Sequence, residues 1–215
     1  MGNQPRKERE AEALKVKRRA EIMNAAMLLF EQRGIRNVTI AHIATEAELA
    51  KGTVYLYFKT KDDLLFHIMI DLIGGFEDAV HQTATAGGFE SLCRLADVMK
   101  RDYTKNLTRK HVVMLFGDLY DKTYPEGLPS AREYEQLVAS SIDGLEEIVR
   151  RGIDDGSLRP DLDARNTACT LANVFGILGG TTAVRRGQLT THQGVDPYRG
   201  YCDVLDAFLA WIQRR

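Results

Sequence analysis

The sequence has few of the features that mark exported, membrane-spanning or metal-binding proteins. Its three cysteines, Cys93, Cys169 and Cys202, are odd in number and never form a C-x-x-C pair, which fits a reducing cytosol better than a disulfide scaffold or a zinc site. No run of 18 apolar residues occurs, and the first residues are polar where a signal peptide is apolar. We therefore expect a cytoplasmic protein with no membrane partner.

Signatures of common enzymes are missing as well. No G-x-S-x-G, P-loop or Rossmann fingerprint occurs. The acidic pairs Glu146-Glu147 and Asp154-Asp155 fall on an expected exposed helix face and at an expected helix end. The histidines have no metal-ligand spacing; they are His42, His67, His81, His111 and His192. An enzyme is the main alternative class, but the sequence predicts no catalytic residue, no metal site and no cofactor.

The charge of the chain is unevenly distributed. The formal net charge is -1, yet residues 1–61 carry 12 Lys and Arg against 7 Asp and Glu, a balance of +5, and the remainder carries -6. A polyanionic partner should therefore meet the first part of the chain.

Apolar residues recur at helical spacing along the chain. In the first stripe Ile22, Ala26, Leu29 and Phe30 share one face, and Gly34 follows as a helix stop. Further stripes occupy residues 60–76, 92–103, 112–120, 134–149 and 196–212. No stretch alternates convincingly with period two. The sequence therefore predicts an all-α fold.

Two glycine pairs, Gly74-Gly75 and Gly87-Gly88, are expected to weaken the helix and to mark the passage into a second domain. We accordingly divide the chain into a tail at 1–17, an N-terminal three-helix domain at 18–62, and a larger helical domain at 63–215. The helix that starts near Thr60 links the two domains.

The short helices before residue 60 predict a helix-turn-helix, whose second helix enters the major groove of DNA. Burying Val54 turns Gly52, Thr53, Tyr55 and Leu56 outward. Gly52 lets the backbone approach closely, and the hydroxyls of Thr53 and Tyr55 suit phosphate oxygens. Leu56 suits a thymine methyl group. Positive charge surrounds this face, from Lys51, Lys59 and Lys61.

These residues resemble the DNA-binding domain of the TetR family of bacterial transcription regulators, over about residues 18–65. The resemblance is carried by Phe30, Gly34, Thr39, Ile43, Ala44, the segment 51–61 and Leu64. It implies phosphate contacts by Thr39, Tyr55 and Lys61. It places Lys51, Gly52, Thr53 and Leu56 near the bases, with Tyr57 in the family's second aromatic position.

Two residues depart from the family pattern. Glu48 stands where the family commonly has Gly in the turn, and Ala50 stands where it has Ser before the recognition helix. We expect a strained or reshaped turn, a third helix without a side-chain N-cap, and weaker DNA binding because Glu48 adds negative charge.

The tail and the two residues after it mix seven basic residues, Arg6, Lys7, Arg9, Lys15, Lys17, Arg18 and Arg19, with Glu8, Glu10 and Glu12. Three alternatives stay open for it: an extension of the first helix, a basic arm in the minor groove, or a solvated, frayed segment.

For the larger domain the resemblance implies a ligand cavity among four helices. The candidate lining residues are Met99, Tyr103, Phe116, Tyr120, Tyr134, Asn173 and Phe175. They suit an apolar or aromatic effector with a few polar groups, and Asn173 lies in an apolar stretch where a buried amide needs a partner. The alternative is that these side chains simply fill the core.

The resemblance also implies a homodimer in which the last two helices of each chain pair as a four-helix bundle. The segment 168–180 is apolar around most of its circumference, and the final helix has an apolar stripe. The candidate interface residues are Leu171, Leu178, Val204, Leu205, Phe208 and Ile212. By itself the stripe would equally suit an intramolecular core.

The sequence thus predicts a transcription regulator, by the family's usual mode a repressor, that binds a palindromic double-stranded operator as a dimer and is released by a small-molecule effector. The effector must bind the DNA-free form better, and the linking helix that starts at Lys61 would transmit its effect. A helical adaptor that does not bind DNA is the second alternative. It leaves the exposed Tyr55, Leu56 and the basic cluster unexplained.

Overall fold

The computed structural model describes residues 6–84, 87–105, 107–120 and 124–214. The chain divides into two compact units, Met1–Ile68 and Met69–Arg215. Within the described ranges every regular element is helical, and the only extended pairing is an isolated bridge between Leu158 and Gln213. The all-α prediction is confirmed. None of the described helices is long and apolar enough to cross a membrane.

The first unit is a three-helix domain followed by the start of a fourth helix. Its elements are α1 (Arg6–Arg33), a 3-10 turn (Ile35–Asn37), α2 (Ile40–Glu46), α3 (Lys51–Tyr57) and the beginning of α4 (Lys61–Thr83). Gly34 ends α1 with a φ of 74°, a left-handed conformation that favours glycine. Phe30, Ile43, Val54 and Phe58 are fully buried and form the centre of this domain.

The tail of the chain is a helical extension over its described residues. Helix α1 begins at Arg6, and ion pairs one turn apart join Lys15 to Glu12 (3.5 Å) and Arg18 to Glu21 (2.7 Å). Such exposed pairs each support a helix by a few tenths of a kcal/mol, about 0.2–0.5. The first of the three alternatives for the tail therefore holds for residues 6–17, and residues 1–5 lie outside the described residues.

The second unit is a larger helical bundle. After the rest of α4 its elements are α5 (Gly88–Lys105), α6 (Leu107–Leu119), α7 (Pro129–Asp154), α8 (Ala164–Asn173), a π-helical turn (Val174–Leu178), α9 (Gly179–Val184), α10 (Arg186–Gln193) and α11 (Pro197–Ile212). Asp163 and Asp196 cap α8 and α11 with their side chains. Leu92, Leu145 and Tyr201 lie fully buried in one continuous core.

The glycine pairs have a different role from the expected one. Helix α4 continues through Gly74 and Gly75 to Thr83, so this pair does not break the helix, and its weakening effect stays a prediction. Gly88 starts α5 where that helix meets α7, and a Cβ on Gly88 would lie 2.2 Å from the Cα of Gly152. Close packing of two backbones, which tolerates no side chain, is the reason for glycine here.

The start of α5 is also capped by the chain that follows α7. Asp155 accepts a hydrogen bond from the Gly88 N–H (2.8 Å), and the Ser157 hydroxyl accepts one from the Phe89 N–H (3.2 Å). Hydrogen bonds from Ser157 and from the Gly88 backbone hold the pKa of Asp155 below its ordinary value. Of the acidic pair Asp154-Asp155, Asp155 therefore has a structural role as the side-chain cap of α5.

Replacing Gly88 with Ala should destabilise the second unit by about 1–3 kcal/mol, because the added methyl group overlaps the α7 backbone and the helices must separate. Gly117 in α6 is the matched control: nothing lies within 4 Å of its Cβ position, and Ala there should stabilise by about 0.5–1 kcal/mol. Urea unfolding followed by circular dichroism measures both variants. Wild-type stability in Gly88→Ala would contradict the tight contact.

Candidate nucleic-acid interface and ligand cavity

Helix α3 has one buried face and one solvent face. Val54 is fully buried, whereas Leu56 is 84% exposed and Tyr55 is 46% exposed. The Lys51 ammonium lies 5.7 Å from the centre of the Tyr55 ring, so the exposed face of α3 carries a cation next to a phenol side chain. The other sequence-predicted contact residues in and after α3 are exposed or half-buried: Gly52, Thr53, Tyr57 and Lys59.

Thr39 forms a reciprocal cap at the start of α2. Its hydroxyl accepts from the His42 N–H (3.2 Å), and Nδ1 of His42 accepts from the Thr39 N–H (3.3 Å). The hydroxyl that accepts still has its own hydrogen to donate, as the expected phosphate contact requires. His42 was not singled out for this role, although the spacing Thr39-x-x-His42 has the form of a capping box with His in place of Glu or Gln.

Lys61 has a structural role that the sequence analysis missed. Its ammonium donates to the backbone carbonyls of Ile35 (2.8 Å) and Val38 (2.9 Å), and the side chain is half-buried. These bonds tie the start of α4 to the segment before α2. An ammonium has three hydrogens, so a phosphate contact through the third stays a prediction.

The turn between α2 and α3 is unusual in the way that the sequence indicates. Glu48 has a φ of 54°, in the left-handed region, and Ala50 is the N-cap of α3 without a side-chain hydrogen bond. Both expectations for this turn are confirmed. The left-handed backbone costs a residue with a Cβ about 1 kcal/mol.

The second unit contains a mostly apolar cavity of about 270 Å³. Leu72 and Phe76 of α4, Met99 of α5, Ile142 of α7 and Phe175 of the π-helical turn contribute to its wall. A larger groove of about 690 Å³ between α4 and α7 is open and carries four carboxylates, so it suits an apolar ligand less well.

Charged groups occupy one part of the cavity wall, at the end of α5 and the start of α6. They are Asp102, Arg109 and Lys110. Lys110 has a side chain only 12% exposed and pairs with Asp102 at 3.4 Å. Its ammonium also lies 5.8 Å from the centre of the buried Tyr103 ring. The sequence prediction does not include these three charged residues, because it is based mainly on aromatic and Met side chains at helical spacing.

The residues expected to surround a ligand separate into four groups. Met99 and Phe175 line the cavity, and Tyr103 is buried beside Lys110 with its hydroxyl 3.1 Å from that of Thr182. Asn173 is exposed, so the expectation of a buried amide is wrong. It lies on the outer face of α8, which helical periodicity did not distinguish from the inner one.

The remaining three candidates form an aromatic cluster. Phe116 packs against Tyr120 and Tyr134, and all three rings pack against Tyr124, with ring centres 5.0–6.0 Å apart. Burial raises the pKa of Tyr134. The structure places these rings in mutual contact instead of along the cavity wall, because periodicity fixes the face of a helix but not the height at which a cavity opens.

The expected interface residues are also divided. Leu171, Leu205 and Ile212 are fully buried within one chain, so their assignment to a dimer interface is wrong: the apolar stripe of α11 faces its own core. Leu178 and Phe208 are half-buried, and Val204 is 43% exposed. Ile177 and Trp211, which the sequence prediction does not include, are 55% and 54% exposed. Val204 and Trp211 share a face of α11 at i and i+7.

A helix-turn-helix with an open recognition helix, joined through α4 to a helical unit with an apolar cavity, defines a DNA-binding transcription regulator. Residues 22–68 match the family described as bacterial regulatory proteins, tetR family. The chain is 30% identical over 155 residues to the fatty acid metabolism regulator protein of Bacillus subtilis, covering 67% of this chain and 73% of that protein. The chain belongs to the TetR family.

Two further comparisons agree with this family. The HTH-type transcriptional repressor KstR2 of Mycolicibacterium smegmatis is 26% identical over 149 residues, which are 68% of this chain and 70% of that protein. The structure of FadR from Bacillus subtilis in complex with stearoyl-CoA superposes with a TM-score of 0.67 at 20% identity, covering 90% of this chain and 99% of that chain. The structural match supports the fold.

Replacing Glu48 with Gly should stabilise the first unit by about 0.5–1 kcal/mol, because Gly adopts the left-handed backbone without strain. The variant Glu48→Gln keeps the strained backbone and removes the charge. It should tighten DNA binding and leave the melting temperature unchanged. Thermal unfolding and fluorescence anisotropy distinguish the two effects, and an equal rise in melting temperature in both variants would refute the backbone explanation.

Proposed function

We propose that the protein represses transcription by binding a palindromic operator as a homodimer, and that a small molecule in the cavity of the second unit releases it. The observation that carries the proposal is the open face of α3, with exposed Leu56 and Tyr55 next to Lys51. Exposed apolar and phenolic side chains on a short helix are costly to leave in water without a partner, and base edges and phosphates provide one.

On DNA, α3 lies in the major groove and the start of α2 meets the backbone. Tyr55 and Thr39 donate hydroxyl hydrogens to phosphates, while Leu56 contacts thymine methyl groups. Repression, as opposed to activation, is supported by the name of the relative KstR2, a transcriptional repressor. An operator protein of this kind also fits the positive balance of residues 1–61.

The dimer is formed by the open faces of the π-helical turn and α11. Ile177, Val204 and Trp211 are all large apolar residues more than two fifths exposed. In a four-helix bundle with a second copy these side chains are removed from water. The two recognition helices then read two half-sites, which raises the affinity beyond that of one helix.

Release works through α4. This helix begins at Lys61, which is bonded to the segment before α2, and it contributes Leu72 and Phe76 to the cavity. A ligand that binds better when α4 is displaced lowers the fraction of protein able to bind DNA. The structure of FadR in complex with stearoyl-CoA shows that a regulator with this fold binds a small molecule, which supports an effector here.

Wild-type protein should bind one palindromic fragment from beside its own gene with nanomolar affinity that falls as salt is raised. Tyr55→Phe removes one hydroxyl per protomer. It should weaken binding at least about tenfold at each salt concentration, without changing the salt dependence, because no cation is lost. Fluorescence anisotropy at two salt concentrations measures this.

Leu56→Ala should also weaken binding to the operator, because the contact with thymine methyl groups is lost. Leu28→Ala, at an exposed leucine of α1, is its control and should bind the operator as the wild type does. Equal binding by wild type and Tyr55→Phe would refute the phosphate contact. Absence of salt-dependent binding to any fragment would favour the adaptor alternative.

Trp211→Glu should convert the dimer into monomers, because the carboxylate would be buried without a partner in the four-helix bundle. Sedimentation equilibrium gives the mass directly. Val16→Glu, at a similarly exposed apolar residue of α1, should remain a dimer. A dimeric Trp211→Glu would place the interface elsewhere.

A further inference from the structure

The charged part of the cavity wall has a specific arrangement around Lys110. The side chain is 12% exposed, its ammonium pairs with Asp102 at 3.4 Å, and it runs past Gly179, whose missing Cβ would lie 3.6 Å from the ammonium. A lysine this deeply placed is rare unless it is paired. Gly179 therefore packs against the lysine side chain at ordinary contact distance.

The charges of this part of the wall do not balance. Lys110 pairs with Asp102, and the exposed Arg109 adds a second cation, so the charged lining residues carry a net charge of +1. One additional carboxylate neutralises it, and both cations are strong hydrogen-bond donors to carboxylate oxygens. The hydroxyl of the nearby polar lining residue, Ser141, already donates to the Leu137 carbonyl at 2.8 Å.

The rest of the wall is apolar and sets a size limit. Leu72, Phe76, Met99 and Ile142 offer no charge to a ligand. If a methylene group occupies roughly the 30 Å³ of a liquid water molecule, the cavity of about 270 Å³ accommodates on the order of nine such groups. This is the length of a medium aliphatic chain.

We propose that the effector is a medium-chain aliphatic carboxylate, of about eight to ten carbons, whose carboxylate binds Lys110 and Arg109 and whose chain lies between α4, α5 and α7. The proposal rests on the proposed function, in which this cavity is the effector site. The chain is shorter than the stearoyl group bound by FadR. Asp102 holds Lys110 in place before the ligand arrives and then competes with it.

The test uses octanoate, decanoate, hexadecanoate, methyl decanoate and decanoyl-CoA with the full-length dimer. Isothermal titration calorimetry measures binding, and anisotropy of the operator complex measures release. Octanoate and decanoate should bind at least roughly tenfold more tightly than methyl decanoate, since the ester lacks the charge. They should also bind more tightly than hexadecanoate, which exceeds the cavity.

Two substitutions at the same ion pair give opposite expectations. Lys110→Met should weaken decanoate binding roughly tenfold or more, because a charge-assisted contact is lost. Asp102→Asn should strengthen it several-fold, because the competing carboxylate is removed. Neither should alter binding of methyl decanoate. If both variants weaken decanoate equally, the pair is merely structural and the proposal is wrong.

The outcomes separate this proposal from the repressor function. Decanoate that binds in a Lys110-dependent way without releasing the operator would support the ligand class and overturn the release mechanism. Release by methyl decanoate alone would overturn the ligand class and leave the repressor function standing. Release by decanoyl-CoA but not by decanoate would place the anionic group outside the cavity and overturn the proposed contact with Lys110.

Discussion

The two hydrogen bonds that the Lys61 ammonium donates to the Ile35 and Val38 carbonyls fix the start of α4. Ile35 begins the 3-10 turn and its carbonyl also accepts from the Val38 N–H (3.3 Å), while Val38 directly follows the turn. A lysine held by both carbonyls cannot rotate freely. Because α4 is one uninterrupted helix from Lys61 to Thr83, its backbone hydrogen bonds connect this fixed start to the residues that line the cavity. The proposed release mechanism depends on that continuity.

Much of the first unit could be predicted because its signals are local. Gly34, the cap at Thr39 and the burial of Val54 and Phe58 follow from spacing over four or five residues, and the structure confirms each. The bonds of Lys61 reach 26 and 23 residues back along the chain. From the sequence, a lysine next to an expected DNA surface is interpreted as a phosphate contact. Only the fold shows that the backbone carbonyls of Ile35 and Val38 lie within hydrogen-bond distance of it.

The second unit was harder to predict from the sequence. Helical periodicity identifies the apolar stripe of a helix but not the surface against which that stripe packs. The stripe of Leu205 and Ile212 suits a partner chain or an intramolecular core equally well, and both residues are buried within their own chain. The same ambiguity put Asn173 inside the protein when it lies outside. Gly88 shows the limit of a composition rule: a glycine pair usually marks a weak point, but here it marks two backbones too close for any side chain.

The π-helical turn is where the ligand and the dimer proposals meet. Phe175 lines the cavity, whereas Ile177, two residues on, is 55% exposed on the open face. A π-helical turn lacks the regular i to i+4 bonding, is rare, and frequently lies at a functional site. Here the hydroxyl of the buried Tyr201 of α11 donates to the Phe175 carbonyl at 3.4 Å. A ligand that presses on Phe175 therefore acts on the same backbone turn that carries Ile177 toward a partner chain. The ligand and dimer proposals together predict that occupancy of the cavity changes the geometry of the dimer through this single turn.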